Sequence, residues 1–284
     1  MATDQRTLPG DFTSDAVFRS WGSGISAQLA AIGLVKTADT GQIDWTTVLR
    51  PSGNSQQRGY EVWRFDDALQ ATKPVFIRID FGSGIVSNVP GLWATVATST
   101  NGAGTLTGQV GATRAAFSNQ ATTSAISYCS GSPSRLNLTT NTNLFTANTS
   151  LTICIERTKT SAGVDTGDGI VRFSNSVVSG ATTGYQLVPF SGPILTEATT
   201  NPALDSNAGG VSALGTDVML SPTVVFFGKA LFASWCAYRN TEITGLTPIT
   251  FTHLGATRTY MPFGITILGM TLQGSAYALA MLWE

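Results

Sequence analysis

Charge is scarce in this sequence. Only 12% of its 284 residues are Asp, Glu, Lys or Arg, about half the roughly 25% usual in soluble domains. Lys and Arg number 16 against 17 Asp and Glu, for a net charge of −1, and no basic run occurs. A nucleic-acid groove needs a Lys/Arg stripe to neutralise phosphates, so no nucleic-acid partner is expected. A folded surface with so few charges has little to hold identical copies apart. The composition therefore points to close neighbours in an assembly, with a homo-oligomer as the expected state; a secreted, neutral β protein is the other class it fits.

Cysteine and histidine are also in short supply. Cys129, Cys154 and Cys236 are odd in number and far apart, which is neither a zinc spacing nor a disulfide framework. Buried free thiols in a reducing cytoplasm are the simplest expectation. The opening MATDQRTLPG has no basic region followed by an apolar core, so it does not read as a signal peptide. The sequons at Asn137 and Asn148 then read as chance in a Thr/Asn-rich region. The one long apolar run, 265–283, is interrupted by Gly269, Thr271, Gln273, Gly274 and Ser275. A membrane span needs about 20 apolar residues, and a buried pair of strands is expected here instead of insertion.

The single histidine, His253, is in phase with Ile249 and Phe251 on a strand-like stretch, and no Gly-x-Ser-x-Gly elbow precedes a helix. A Ser-His-Asp site is therefore not expected. Glu61, Asp66, Asp67, Asp80 and Glu156 could supply the carboxylate pair of a glycosidase, but any chain with 17 acids offers some pair. Asp165-Thr-Gly-Asp168-Gly169 has the raw material of a calcium loop without its further ligands or closing Glu, and reads as a hairpin turn. Gly82-Ser83-Gly84 and Gly102-Ala103-Gly104 lack the Lys and the helix of a phosphate loop. No catalytic residue, metal ligand or cofactor is expected. Trp45, Tyr60, Trp63, Trp93 and Tyr185 could stack on sugars, although aromatics equally fill β cores and interfaces.

Against these absences stands one clear amphipathic helix near the N-terminus. Phe18, Trp21, Ile25, Leu29 and Ile32 recur at helical spacing on one face. Thr13 or Ser14 suits the N-cap, Asp15 the first turn, and Gly33 the left-handed C-cap. Gly22 and Gly24 each weaken an isolated helix by roughly 1 kcal/mol. Small residues on the other face (Ser20, Ser23, Ala27, Ala30, Ala31) admit close packing, so the helix is expected to lie between partners, with the five apolar residues as an assembly seam. A turn at 37–41 follows, then a strand over 43–48.

Val75, Ile77, Ile79 and Phe81 alternate as a half-buried strand opened by Pro74. Leu92–Ala97 forms the next, and 98–111 is a linker or a flat strand. Residues 151–173 read as a long hairpin, Tyr185–Phe190 as a strand, and 223–238 as a hairpin about Gly228-Lys229 in competition with a buried helix. Residues 249–261 read as a last hairpin. The sum is a mainly β chain, an antiparallel β-sandwich or jelly roll with one N-terminal amphipathic helix. A soft boundary separates 1–108, a helix-plus-β docking and assembly region, from 109–284, a β-sandwich-like region, with a single domain over the whole chain as the alternative.

The helix, the ADTGQ turn, the IDW stretch, GYEVWRFDD, LQATKPVFIRIDFGSG and TSTNGAGTLTG together resemble the opening of structural proteins of tailed-bacteriophage virions, over roughly the first 110 residues, within one domain's span. The resemblance implies a non-enzymatic particle component, assembled in the host cytoplasm with itself and other virion proteins. It gives no catalytic motif and no position among collar, tail, spike or head. A receptor- or glycan-binding fibre module is the alternative, and a polysaccharide-degrading enzyme the third.

Overall fold

Ser14 sets the start of the helix. Its backbone is extended, and its Oγ accepts the Val17 N–H at 3.3 Å, as an N-cap does. Helix α1 then runs Asp15–Ala31. It ends where Gly33 takes φ +95°, its N–H reaching the Ala30 carbonyl at 3.1 Å and the Leu34 N–H the Leu29 carbonyl at 3.2 Å. That is a Schellman cap, with Leu34 and Leu29 both in the core behind it.

The computed structural model describes residues 2–110, 113–117, 122–141, 150–160, 164–175, 185–190, 196–198, 220–225, 230–239, 248–253, 256–263 and 277–283. Strand β1 (Ala2–Gly10) precedes the helix. After it come β2 (Val35–Lys36), β3 (Gln57–Arg64), β4 (Phe76–Ser83), β5 (Pro90–Thr100), β6 (Leu106–Gln109) and β7 (Arg114–Phe117). The next run is β8 (Thr122–Ser132), β9 (Arg135–Asn141), β10 (Ser150–Lys159), β11 (Asp165–Asn175), β12 (Tyr185–Pro189) and β13 (Thr196–Ala198). The last is β14 (Leu220–Val225), β15 (Ala230–Arg239), β16 (Ile249–His253), β17 (Ala256–Phe263) and β18 (Tyr277–Leu282).

These strands form antiparallel sheets. The first has the order β1-β8-β9-β10-β11-β12-β13 and the second β2-β3-β4-β5-β6, with β7 also on β5. The third has the order β14-β15-β18-β17-β16. The main core lies between the first two. Ile77, Ile79, Phe81, Leu92 and Val96 of the second sheet meet Leu136, Leu138, Ile153, Ile155 and Val171 of the first. Helix α1 packs along β1 and touches β2, the edge strands of the two sheets, and so closes one open side of the sandwich. The fold is mainly β and sandwich-like with one helix among the described residues, as the sequence predicts.

The third sheet covers the back of the first. Ser130 Oγ donates to the Leu282 carbonyl at 2.7 Å, and the Tyr128 ring meets Trp283 edge-on at 5.8 Å. Burial there pushes the Tyr128 hydroxyl up to about 12. Strands β9 and β10 are accordingly buried on both faces. Asn137 is wholly buried, and Cys154 Sγ donates to its Oδ1 at 2.5 Å, so this sequon side chain is enclosed. Asn148 lies outside the described residues. Cys129 and Cys154 are buried thiols outside any disulfide, and burial, reinforced by Asp4 and opposed by Arg6, pushes the Cys129 thiol up. The side chain of Cys236 lies outside the described residues.

The glycines inside α1 have a packing reason. A Cβ on Gly22 would sit 1.8 Å from the Trp45 ring, and one on Gly24 would sit 2.5 Å from Leu8. The helix gives up propensity so that two large side chains can reach its backbone.

Several sequence expectations need correction. No strand forms over 43–48; residues 45–47 are a turn. Asp44 accepts the Thr46 N–H at 2.8 Å and the Thr46 and Thr47 hydroxyls at 2.7 and 2.9 Å, and this local side-chain bonding displaces strand pairing. Asp165–Gly169 is the start of β11, not a turn; Lys159 and Asp165 pair across the hairpin. The pairs β10–β11, β14–β15 and β16–β17 are the hairpins expected over 151–173, 223–238 and 249–261. Residues 226–229 and 264–276 lie outside the described residues; among those described, no helix is long and apolar enough to cross a membrane. Sheet pairing also crosses the soft boundary at 108, joining β1 to β8 and β5 to β7.

Candidate functional site

The apolar helical stripe is inside the chain's own core. Phe18, Trp21, Ile25, Leu29 and Ile32 are 0–2% exposed. Phe18 meets Phe12 edge-on at 5.0 Å, and Trp21 meets Phe81 at 5.8 Å. Read as a seam between copies, the stripe needs correction: its surface is covered intramolecularly. The small-residue face stays uncovered, with Ser20, Ala30 and Ala31 exposed and Ser23 and Ala27 half-buried.

Beside the stripe, Glu61 on β3 is fully buried and gathers four segments of the chain. Its Oε1 accepts Lys36 Nζ at 2.7 Å and Trp45 Nε1 at 2.9 Å. Its Oε2 accepts the Ser26 hydroxyl at 2.6 Å and Trp63 Nε1 at 3.1 Å. Four donors on two oxygens compensate the desolvation of the carboxylate. They also tie helix, β2, the 45–47 turn and β3 together.

The opposite face of the second sheet carries a second polar knot. Arg78 stacks over Tyr60 at 4.0 Å, binds Asp80 through Nε (3.1 and 3.0 Å) and Nη2 (2.5 Å), and donates to the Gly104 carbonyl at 2.8 Å. The Tyr60 hydroxyl donates to the carbonyls of Thr40 and Ala103 at 2.7 and 3.1 Å. Gly104, at φ +78°, lies against that ring so closely that a Cβ would sit 2.2 Å from it. Asp39 accepts the Gly104 N–H at 2.9 Å and the hydroxyls of Thr37 (2.6 Å) and Thr100. Burial alone pushes Asp39 up, but these hydrogen bonds outweigh it and hold the carboxyl below its ordinary value.

The acids offered by the sequence for glycoside chemistry do not converge. Glu61 stands opposite Ile79 and Asp80 opposite Tyr60 in the β3–β4 register, so the two carboxylates point to opposite faces. Asp66 pairs with Arg64 at 2.8 Å, and Asp67 binds the buried Arg157. Glu156 is buried on β10. Among the described residues no three His, Cys, Asp or Glu are grouped to hold a metal. The side chain of His253 lies outside the described residues. Of the aromatics, Trp63 is buried, Trp45 packs on Phe81 at 4.9 Å and Tyr60 is covered by Arg78; Trp93 is half-buried. The side chain of Tyr185 lies outside the described residues.

Ser26, Lys36, Arg78 and Arg157 anchor these knots, and none stood out in the sequence. Only Arg78-x-Asp80 carried a local signal, since residues two apart on a strand share a face. No family model matches the chain, and no curated protein matches it.

Proposed function

We propose that the chain is a non-enzymatic structural subunit of a tailed-bacteriophage virion. It assembles through uncharged and apolar surface with copies of itself and with neighbouring virion proteins. The observation that carries this reading is what happens to the segments behind the virion resemblance. ADTGQ, IDW, GYEVWRFDD and TNGAGT come from separate parts of the sequence, and their polar side chains are spent on one another. Asp39 holds Gly104, Tyr60 holds Thr40 and Ala103, and Glu61 holds Trp45. Such a pattern suits a scaffold whose motif residues fix a shape. The engagement of Trp45, Tyr60 and Trp63 inside the fold weighs against the sugar-binding alternative.

Avidity from many copies then replaces strong single contacts, and a surface poor in charge makes those contacts insensitive to salt. Light scattering of the purified chain at two concentrations and two salt levels tests the reading. A single defined oligomer, unchanged by salt, is expected. A monomer under all four conditions overturns self-assembly.

A further inference from the structure

A groove of about 330 Å³ opens between the second sheet and the first, lined by Lys73, Val75, Val96, Thr98, Val110 and Phe190 among others. Its size is at the lower end for small-molecule sites, and its lining has their usual character, mostly apolar with a few polar groups. Lys73 is the one charged residue on the wall. Among the described residues no carboxylate pairs with its ammonium.

The lysine is held in place. Its N–H donates to the Leu69 carbonyl at 2.7 Å, and its own carbonyl accepts Arg157 Nη2 at 2.9 Å. Its alkyl stem crosses β11 where Gly167 has no side chain, and a Cβ there would sit 2.7 Å from Lys73 Cγ. The stem packs while the residue as a whole stays exposed, as in long cationic side chains whose head remains in water.

We propose that this groove binds a small organic acid. The apolar body would lie on Val75, Val96, Val110 and Phe190, with the carboxylate on the Lys73 ammonium. The proposal stands apart from the assembly reading, because it needs no second copy. Calorimetric titration of the full chain with octanoate tests it, with 1-octanol as the uncharged match.

One saturable octanoate site is expected. Lys73→Met keeps the stem and removes the charge. It should weaken octanoate about fivefold, the upper end for an exposed ion pair, and leave 1-octanol unchanged. Overhauser contacts between octanoate and the Phe190 ring locate the site. No saturable octanoate binding, equal weakening of both ligands by Lys73→Met, or contacts only to residues elsewhere each overturn the proposal.

Discussion

Replacing Glu61 removes the acceptor on which four donors converge, and the structure sets the size of the loss. Lys36 is 37% exposed, so its ion pair is screened and contributes less than about 1 kcal/mol. The indoles matter more. Trp63 is 3% exposed, and its N–H has no route to water once the carboxylate is gone; one such orphan costs about 1–3 kcal/mol. In Glu61→Gln the Ser26 hydroxyl can rotate to accept from the new amide, but an indole N–H is left facing a donor. That variant should lose about 1–3 kcal/mol. Glu61→Ala leaves both indoles without the carboxylate and a void beside them, for about 3–5 kcal/mol. Urea unfolding followed by tryptophan fluorescence measures both, with midpoints compared at a common slope. Asp66→Ala is the control, because its exposed pair with Arg64 should change stability by no more than about 0.5 kcal/mol. If Glu61→Ala is no worse than Asp66→Ala, the convergence of donors does not stabilise the fold and the reasoning fails.

Three further outcomes follow from the packing and the charges. Leu29→Ala should cost about 2–5 kcal/mol as a core truncation while leaving the oligomeric mass by light scattering unchanged; a change in mass at retained stability would return the stripe to an interface role. Gly22→Ala should lower the melting temperature despite its better helix propensity, because overpacking against Trp45 costs about 1–3 kcal/mol against a propensity gain of about 1 kcal/mol; a rise in melting temperature contradicts the close approach. Asp39 has a folded pKa below its ordinary 3.8, so its contribution is fully present above that value and is lost as pH falls through the folded one. Asp39→Asn should therefore flatten stability against pH in that acid range, and an unchanged acid limb in denaturant titrations would remove Asp39 as a contributor.

The parts of this fold legible in the sequence are those written in local spacing. The stripe from Phe18 to Ile32, the Ser14 and Gly33 caps and the alternation from Val75 to Phe81 need only neighbours a few residues away. Strand β1 was not legible: it carries Pro9, alternates weakly, and is fixed by β8 more than a hundred residues on. The stretch 43–48 has strand composition, yet Asp44 bonds to the two threonines after it, a choice propensity does not weigh. Glu61 read as a possible catalytic acid because its partners come from positions 26, 36, 45 and 63, a set without any repeating interval. The small-residue face of the helix was legible as a surface, but what it meets was not.

The pairing of Ala2 with Gly131 also bears on synthesis of the chain. Strand β1 leaves the ribosome well over a hundred residues before its partner does. At roughly 5–20 residues per second the wait is about 6–24 s, and through it the helix has just one of the two sheets that will cover it. Loop closure over such a separation is slow even for a released chain. During that interval Phe18, Trp21 and Leu29 are the apolar surface most in need of protection, so a nascent chain stalled before residue 122 should recruit holding chaperones that one stalled well past residue 132 no longer binds.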